Sequence, residues 1–459
     1  MISTLLFTAL FPSLFTALAM AATDLPTAAL QDDVVAAKVL LRDGANVKAA
    51  NRYGVTPLSI ACTNGSAPMI ELLLKAGADA NTTLPGGETV LMTAARTGRV
   101  EAVNVLLANG ADPNFKEPRR GQTALMWAAA EGHTAVVEAL IAKGASFRDR
   151  LPTGYTPFLF AAREGRAAVI EALLRAGVDV NEVITATPNA PKVNGAPREG
   201  TSALHLAVLS GHFELASMLL DRGANPNADA NGWTALHAIT GVRKPGGGDN
   251  NPAPLGSGTM TSIELVRKLK AKGANLNARM SKRINVGLTS LNTLGATPFM
   301  LAARSADFEL MRELAKLGAD PLIPNADGST PLMAAAGLGT RSPGEDAGTE
   351  EEVVEAIKVA LELGNDINAV DKNGETAMHS AAYKNYGAAI QLLVDRGAKI
   401  EVWNKKNKSG WTPLAIAQGY RFGNFKPSPP TEAALRKAFA KAGVKPEEFQ
   451  NTNHSDYKR

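Results

Sequence analysis

Apolar and polar positions follow one another along this chain in a block of about 33 residues that reads as two short helices. In the block from Gly54, Thr56-Pro57 leads into the apolar run 58–62. Threonine is a good N-cap, and proline in the first helical turn loses no hydrogen bond. Gly65 can then take the left-handed conformation that ends a helix. Met69, Ile70, Leu72, Leu73 and Leu74 form a second apolar stripe at helical spacing, ended by Gly77. The block therefore predicts helix, turn, helix and a connecting finger.

The register is carried by a glycine two residues ahead of a Thr or Ser. It occurs at Gly54, Gly87, Gly121, Gly154, Gly200, Gly232, Gly295, Gly328, Gly374 and Gly410. Most gaps are 32–36 residues; the gaps of 46, 63 and 46 residues are one period plus an insertion. The pattern predicts ten stacked units, each touching mainly its neighbours. The Gly-Ala pair that closes second helices is also present at Gly44, with no capped first helix recognisable ahead of it. Residues 22–50 are accordingly expected to be an N-terminal capping half-repeat, 51–443 the stack and 444–459 a polar tail.

The best copies read GTSALHLAVLSGHFELASMLLDRGANPN from Gly200 and GETAMHSAAYKNYGAAIQLLVDRGAKI from Gly374. This resembles the ankyrin repeat, G-x-T-P-L-H-x-A-A-x-x-G-H followed by a helix and G-A-D, over about residues 51–443. The resemblance implies an all-α repeat solenoid of helix pairs with short hairpin fingers, about ten units plus an N-terminal half-unit. It also implies a non-catalytic scaffold that binds another protein on its concave face and fingers.

Composition adds exclusions. The net charge is only +4, from 48 basic and 44 acidic residues, with no basic face of the kind nucleic acid needs. The single cysteine, Cys62, rules out an intrachain disulfide and reads as a buried thiol. His205, His237 and His379 hold the His place of T-x-L-H, and His133 and His212 begin second helices, so these five are expected to be structural. His454 lies in the tail. No H-E-x-x-H, G-x-S-x-G or P-loop is present, so no catalytic residue, cofactor or metal is assigned.

Residues 5–22 are apolar and uncharged, and Ala19-Met20-Ala21 has the small-x-small form of a cleavage site. We expect a signal peptide over 1–21 and an exported, periplasmic or extracellular, bacterial protein. Pro12 and the modest length of the run argue against a permanent span, so peripheral or no membrane contact and a monomer are expected. A cytosolic regulator or effector with an uncleaved N-terminus, or a binder of cell-wall glycans, are the alternatives.

The insertions are the individual part of the chain. Residues 183–199 and 280–294 lengthen fingers, whereas 241–261, 337–350 and 419–431 separate the two helices of a unit and should project from the opposite edge. Their acids, Asp249, Glu345, Asp346 and Glu350, have no partners evident in the sequence. In the family the residue between the Gly and the Thr faces the binding side. Among these residues are Gln122, Tyr155, Trp233 and Trp411. Exposed aromatic rings often dominate interface affinity. Tyr155 and Trp233, beside the lengthened fingers, with Arg163 and Glu164, are the expected centre of a partner site, and Gln122 and Trp411 extend it. Trp127 and Phe160 inside first helices are expected to pack in the core.

Overall fold

The computed structural model describes residues 24–189, 199–246, 252–287, 289–421 and 426–447. These fall into two compact units, one of residues 24–128 with 133–146 and one of 129–132 with 147–447. The signal-peptide segment, Asp249, His454 and parts of four insertions lie outside the described residues.

Up to residue 142 the helices are α1 (Leu25–Leu30), α2 (Val34–Arg42), α3 (Pro57–Asn64), α4 (Ala67–Lys75), α5 (Val90–Thr97), α6 (Val100–Ala108), α7 (Ala124–Glu131) and α8 (Thr134–Ala142). Within the first unit, α1, α3 and α5 pack side by side, and so do α2, α4, α6 and α8. The N-terminal stretch differs from expectation. It holds a full helix pair, because Asp24 caps α1 by accepting from Thr27 N at 2.9 Å and Pro26 sits in its first turn. An aspartate cap replaced the Gly-x-Thr signature, so the half-repeat is a complete one.

The second unit continues with α9 (Pro157–Arg163), α10 (Ala167–Arg175), α11 (Ala203–Leu209), α12 (Phe213–Asp221), α13 (Ala235–Arg243), α14 (Ser262–Ala271), α15 (Pro298–Arg304) and α16 (Phe308–Lys316). It ends with α17 (Pro331–Ala336), α18 (Glu350–Glu362), α19 (Ala377–Lys384), α20 (Gly387–Asp395), α21 (Ile400–Trp403), α22 (Pro413–Ala417) and α23 (Pro429–Ala442). First helices stack on first helices in the order α9, α11, α13, α15, α17, α19, α22. Second helices cover them, with α12 on α14 and with α16, α18, α20 and α23 in series. Buried Ala and Leu let neighbouring helices approach closely; Ala302, Ala303, Leu314, Ala334, Ala381 and Ala382 are almost fully shielded.

The caps follow the sequence chemistry. Thr56, Thr89, Thr156, Thr297, Thr330, Thr376 and Thr412 each accept from the backbone N–H three residues on. The fingers are turns rather than strands, with isolated bridges such as Val183 to Ser202. Gly200 shows why the anchor is glycine: its φ is +81°, and a Cβ there would lie 2.7 Å from the Ala230 carbonyl carbon.

Candidate functional site

The histidines resolve into a structural ladder. His205 Nδ1 meets Ser202 Oγ at 2.9 Å and Nε2 meets the Trp233 carbonyl at 2.9 Å. His237 joins Thr234 to the Ala296 carbonyl, and His379 joins Thr376 to the Lys405 carbonyl. Each ring ties its own cap to the next finger. Burial pushes all three down to about 4, so they stay neutral. His133 and His212 instead bond carbonyls of the preceding repeat, Arg96 O at 2.9 Å and Arg163 O at 3.1 Å. The buried Cys62 thiol has its pKa raised by desolvation.

The expected partner residues separate. Tyr155 is only 6% exposed. Its ring packs on Phe160, centroids 4.9 Å apart, and the Arg163 guanidinium lies 5.2 Å above both rings. Burial raises its phenol pKa. Tyr155 is therefore not the exposed ring its register suggested, because the long Arg163 side chain folds back over it. Arg163 and Glu164, both half-exposed, pair with each other at 2.7 Å. Gln122 lies in the first unit and holds its finger through Glu117, whose Oε1 accepts from Gln122 N at 3.1 Å. Trp411 packs, half-buried, on Ala382, Tyr383 and Ile416. Phe160 is in the core as expected, whereas Trp127 is half-exposed under Arg96, 5.2 Å from its ring centre.

Trp233 is half-buried and lines a cleft of ≈ 270 Å³ over α11, α13 and α15. Leu209, Val242, Leu301 and Pro254 give it apolar walls, and Lys244, Arg304, Thr240 and Ser305 add polar groups.

The insertions build this cleft, and the sequence had placed them on opposite edges. The backbone at Gly246 lies against Asp346 and Arg304, where a Cβ would be 3.2 Å and 3.4 Å from their polar atoms. Gly287, at φ +70°, abuts the Arg304 guanidinium too closely for any side chain. Ser290 N donates to Gly339 O at 2.8 Å, joining the lengthened finger to the 337–350 insertion. Three insertions thus converge on Arg304. The sequence left Asp346 partnerless; it is buried, pairs with Arg304, accepts from Thr340 Oγ1 at 3.1 Å and faces Lys384 Nζ at 3.5 Å. Burial lowers the pKa of Arg304 and of Lys384, and the Asp346 charge opposes that. Arg304 ends its first helix in the same register as Arg96 and Arg163, so position alone gave no sign of burial.

A second, polar cavity of ≈ 200 Å³ lies among the fingers, lined by Ser329, Asp371, Glu375, Asp327, Asn292 and Lys408. Glu375 Oε1 accepts from Asn407 Nδ2 at 2.8 Å and from Tyr383 Oη at 3.1 Å. Burial pushes its carboxyl up to about 7. Among the described residues, no group of three His, Cys, Asp or Glu could hold a metal, and no helix is long and apolar enough to cross a membrane.

Comparison with known proteins matches the helical repeat. A model of three-copy ankyrin repeats fits residues 25–117, 91–184 and 185–241; a many-copy model fits 350–394 and a single-repeat model fits 294–323. SH3 and multiple ankyrin repeat domains protein 2 of Homo sapiens is 26% identical over 225 residues, 44% of this chain and 10% of that protein. NAD-dependent deacetylase sir2B of Dictyostelium discoideum is 24% identical over 279 residues, 52% of this chain and 33% of that protein. The chain thus spans a third or less of the length of these two curated relatives. The solved human ASB11 ankyrin repeat domain is 25% identical, with a TM-score of 0.43, covering 55% of this chain and 98% of that one. Ankyrin repeats generally mediate protein–protein interaction and are typically non-catalytic. With its helix pairs, Thr caps and His ladder, this chain belongs to the ankyrin repeat family.

Proposed function

We propose that this chain is a non-catalytic, exported protein-binding scaffold whose partner enters the cleft over α11, α13 and α15. The observation that carries the reading is Trp233: a half-exposed indole in a cleft that three insertions shape. Ring and walls are held by the stack before any partner arrives, so little ordering entropy opposes binding. Tyr155 stiffens the neighbouring finger, Arg163 and Glu164 offer a polar rim, and Trp411 is an outlying contact; Gln122, in the first unit, is not part of this site. Export follows the reading of residues 1–21 as a leader, with a periplasmic or extracellular location.

The test is direct. A partner is captured by chemical cross-linking, identified, purified and titrated against the wild type and Trp233→Ala. Loss of a central aromatic anchor costs about 2 kcal/mol or more, some 30-fold in Kd. An unchanged Kd in a variant with an unchanged melting curve overturns the assignment of the cleft. N-terminal sequencing of the secreted chain, expected to begin near Ala22, checks export.

A further inference from the structure

The same cleft carries information about what it holds. Its walls are mostly apolar, yet among the described residues the charged ones that line it are both cations, Lys244 and Arg304. The Arg304 side chain is 7% exposed, and its Nε has no hydrogen-bond partner among the described residues. Its counter-ion, Asp346, is shared with Lys384, whose side chain is 1% exposed. One carboxylate therefore serves two buried cations, of which Arg304 lines the cleft. Lys244 pairs with Glu352 at 2.6 Å and keeps 23% of its side chain exposed. A low-dielectric pocket bounded by cations strengthens attraction for an incoming anion and repels an incoming cation.

We propose that the cleft takes a segment of a partner protein in which an apolar side chain stands next to a carboxylate. Trp233, Leu209, Leu301 and Pro254 hold the apolar group, and Lys244 and Arg304 attract the acid. This inference rests on the scaffold reading and adds the chemistry of the segment gripped. The apolar walls alone would accept any hydrophobic side chain. The two cations supply selection: among the described residues no acid lines the cleft, so a basic neighbour there meets like charge.

The experiment uses the full chain with isotopically labelled tryptophan, observed by NMR at the Trp233 indole N–H. The probes are acetylated, amidated peptides of sequence Gly-Ser-Phe-Asp-Ser-Gly, and the same with Asn or Lys in place of Asp. The Asp peptide should bind about five-fold tighter than the Asn peptide and more than ten-fold tighter than the Lys peptide. Lys244→Gln should erase most of that preference, bringing the Asp peptide to within about two-fold of the Asn peptide, and raised salt should weaken the Asp peptide most. Trp233→Ala should lose all three, read by isothermal titration calorimetry. Equal binding of Asp and Asn peptides, or tighter binding of the Lys peptide, overturns the acidic preference and leaves the cleft as a docking site. No shift of the Trp233 signal with any peptide overturns the cleft itself.

Discussion

Replacing Asp346 by Asn removes the one negative charge that Arg304 and Lys384 share, while keeping the shape of the side chain. Asp346 pairs with Arg304 on one oxygen; the other accepts from Thr340 Oγ1 at 3.1 Å and faces Lys384 Nζ at 3.5 Å. All three charged side chains are less than 8% exposed, so solvent screening is small. Lys384 keeps one bond, to the Ala347 carbonyl at 2.6 Å; Arg304 loses its counter-ion. Breaking a buried ion pair from one side costs about 3–5 kcal/mol. In a stack of nearest-neighbour contacts the loss falls on α15 and α19, which carry the two cations, and on α17 and α18, which flank Asp346, rather than on the whole chain. Hydrogen exchange of those helices should show it, with the opening free energy reduced by about 3–5 kcal/mol. The triple variant Arg304→Met, Asp346→Leu, Lys384→Met should recover most of the loss, because apolar side chains of similar volume avoid the desolvation cost. A change below about 1 kcal/mol in Asp346→Asn, the range of an exposed pair, would refute the buried three-way network.

Other outcomes follow from the same geometry. Glu375, held at about 7 against about 4.3 in an unfolded chain, contributes stability that is complete below about pH 4.3 and lost as pH rises through about 7. His379, held at about 4 against about 6.5 unfolded, contributes stability present above about pH 6.5 and lost as pH falls through about 4. In α19 the two oppose each other, so its opening free energy should be nearly flat from about pH 4.5 to 6.5; Glu375→Gln should unmask a rise of about 2–3 kcal/mol across that window, seen by exchange corrected for intrinsic rates. A flat profile in the variant contradicts this. Gly200→Ala meets backbone of the next finger and should cost more than Gly223→Ala, where nothing lies within 4 Å and only left-handed strain of about 1–2 kcal/mol applies; equal urea midpoints would count against the finger contact. Cys62 should be inert to a thiol reagent in the native chain and react on unfolding.

The repeat was legible because each of its parts has a local cause. Glycine at φ +81° in Gly200, threonine caps and histidines that bridge to the next finger are demands of the backbone, so they recur at fixed spacing. Where the cause is not local, the sequence misled. Asp24 caps α1 without the usual signature, which hid a complete first repeat. Tyr155 holds the register of an exposed residue, but its exposure depends on where the Arg163 side chain lies, and that is a tertiary matter. Asp346 stands among Gly, Ser and Pro as loop residues do; its partners are 42 and 38 positions away, on helices whose own pattern reads as ordinary. Trp233 was singled out by register alone, and the cleft around it depends on insertions meeting over the first helices.

The measurement closest to the central claim is site-directed photocross-linking in the native compartment. A benzophenone amino acid replaces Leu209, which lines the cleft, or Lys270, which is exposed on α14 and does not. Cross-linking of one identified partner from position 209 and none from 270, with the adduct mapped to an acidic, apolar stretch of that partner, is the result expected. Cross-linking from 270 with none from 209 would contradict the account.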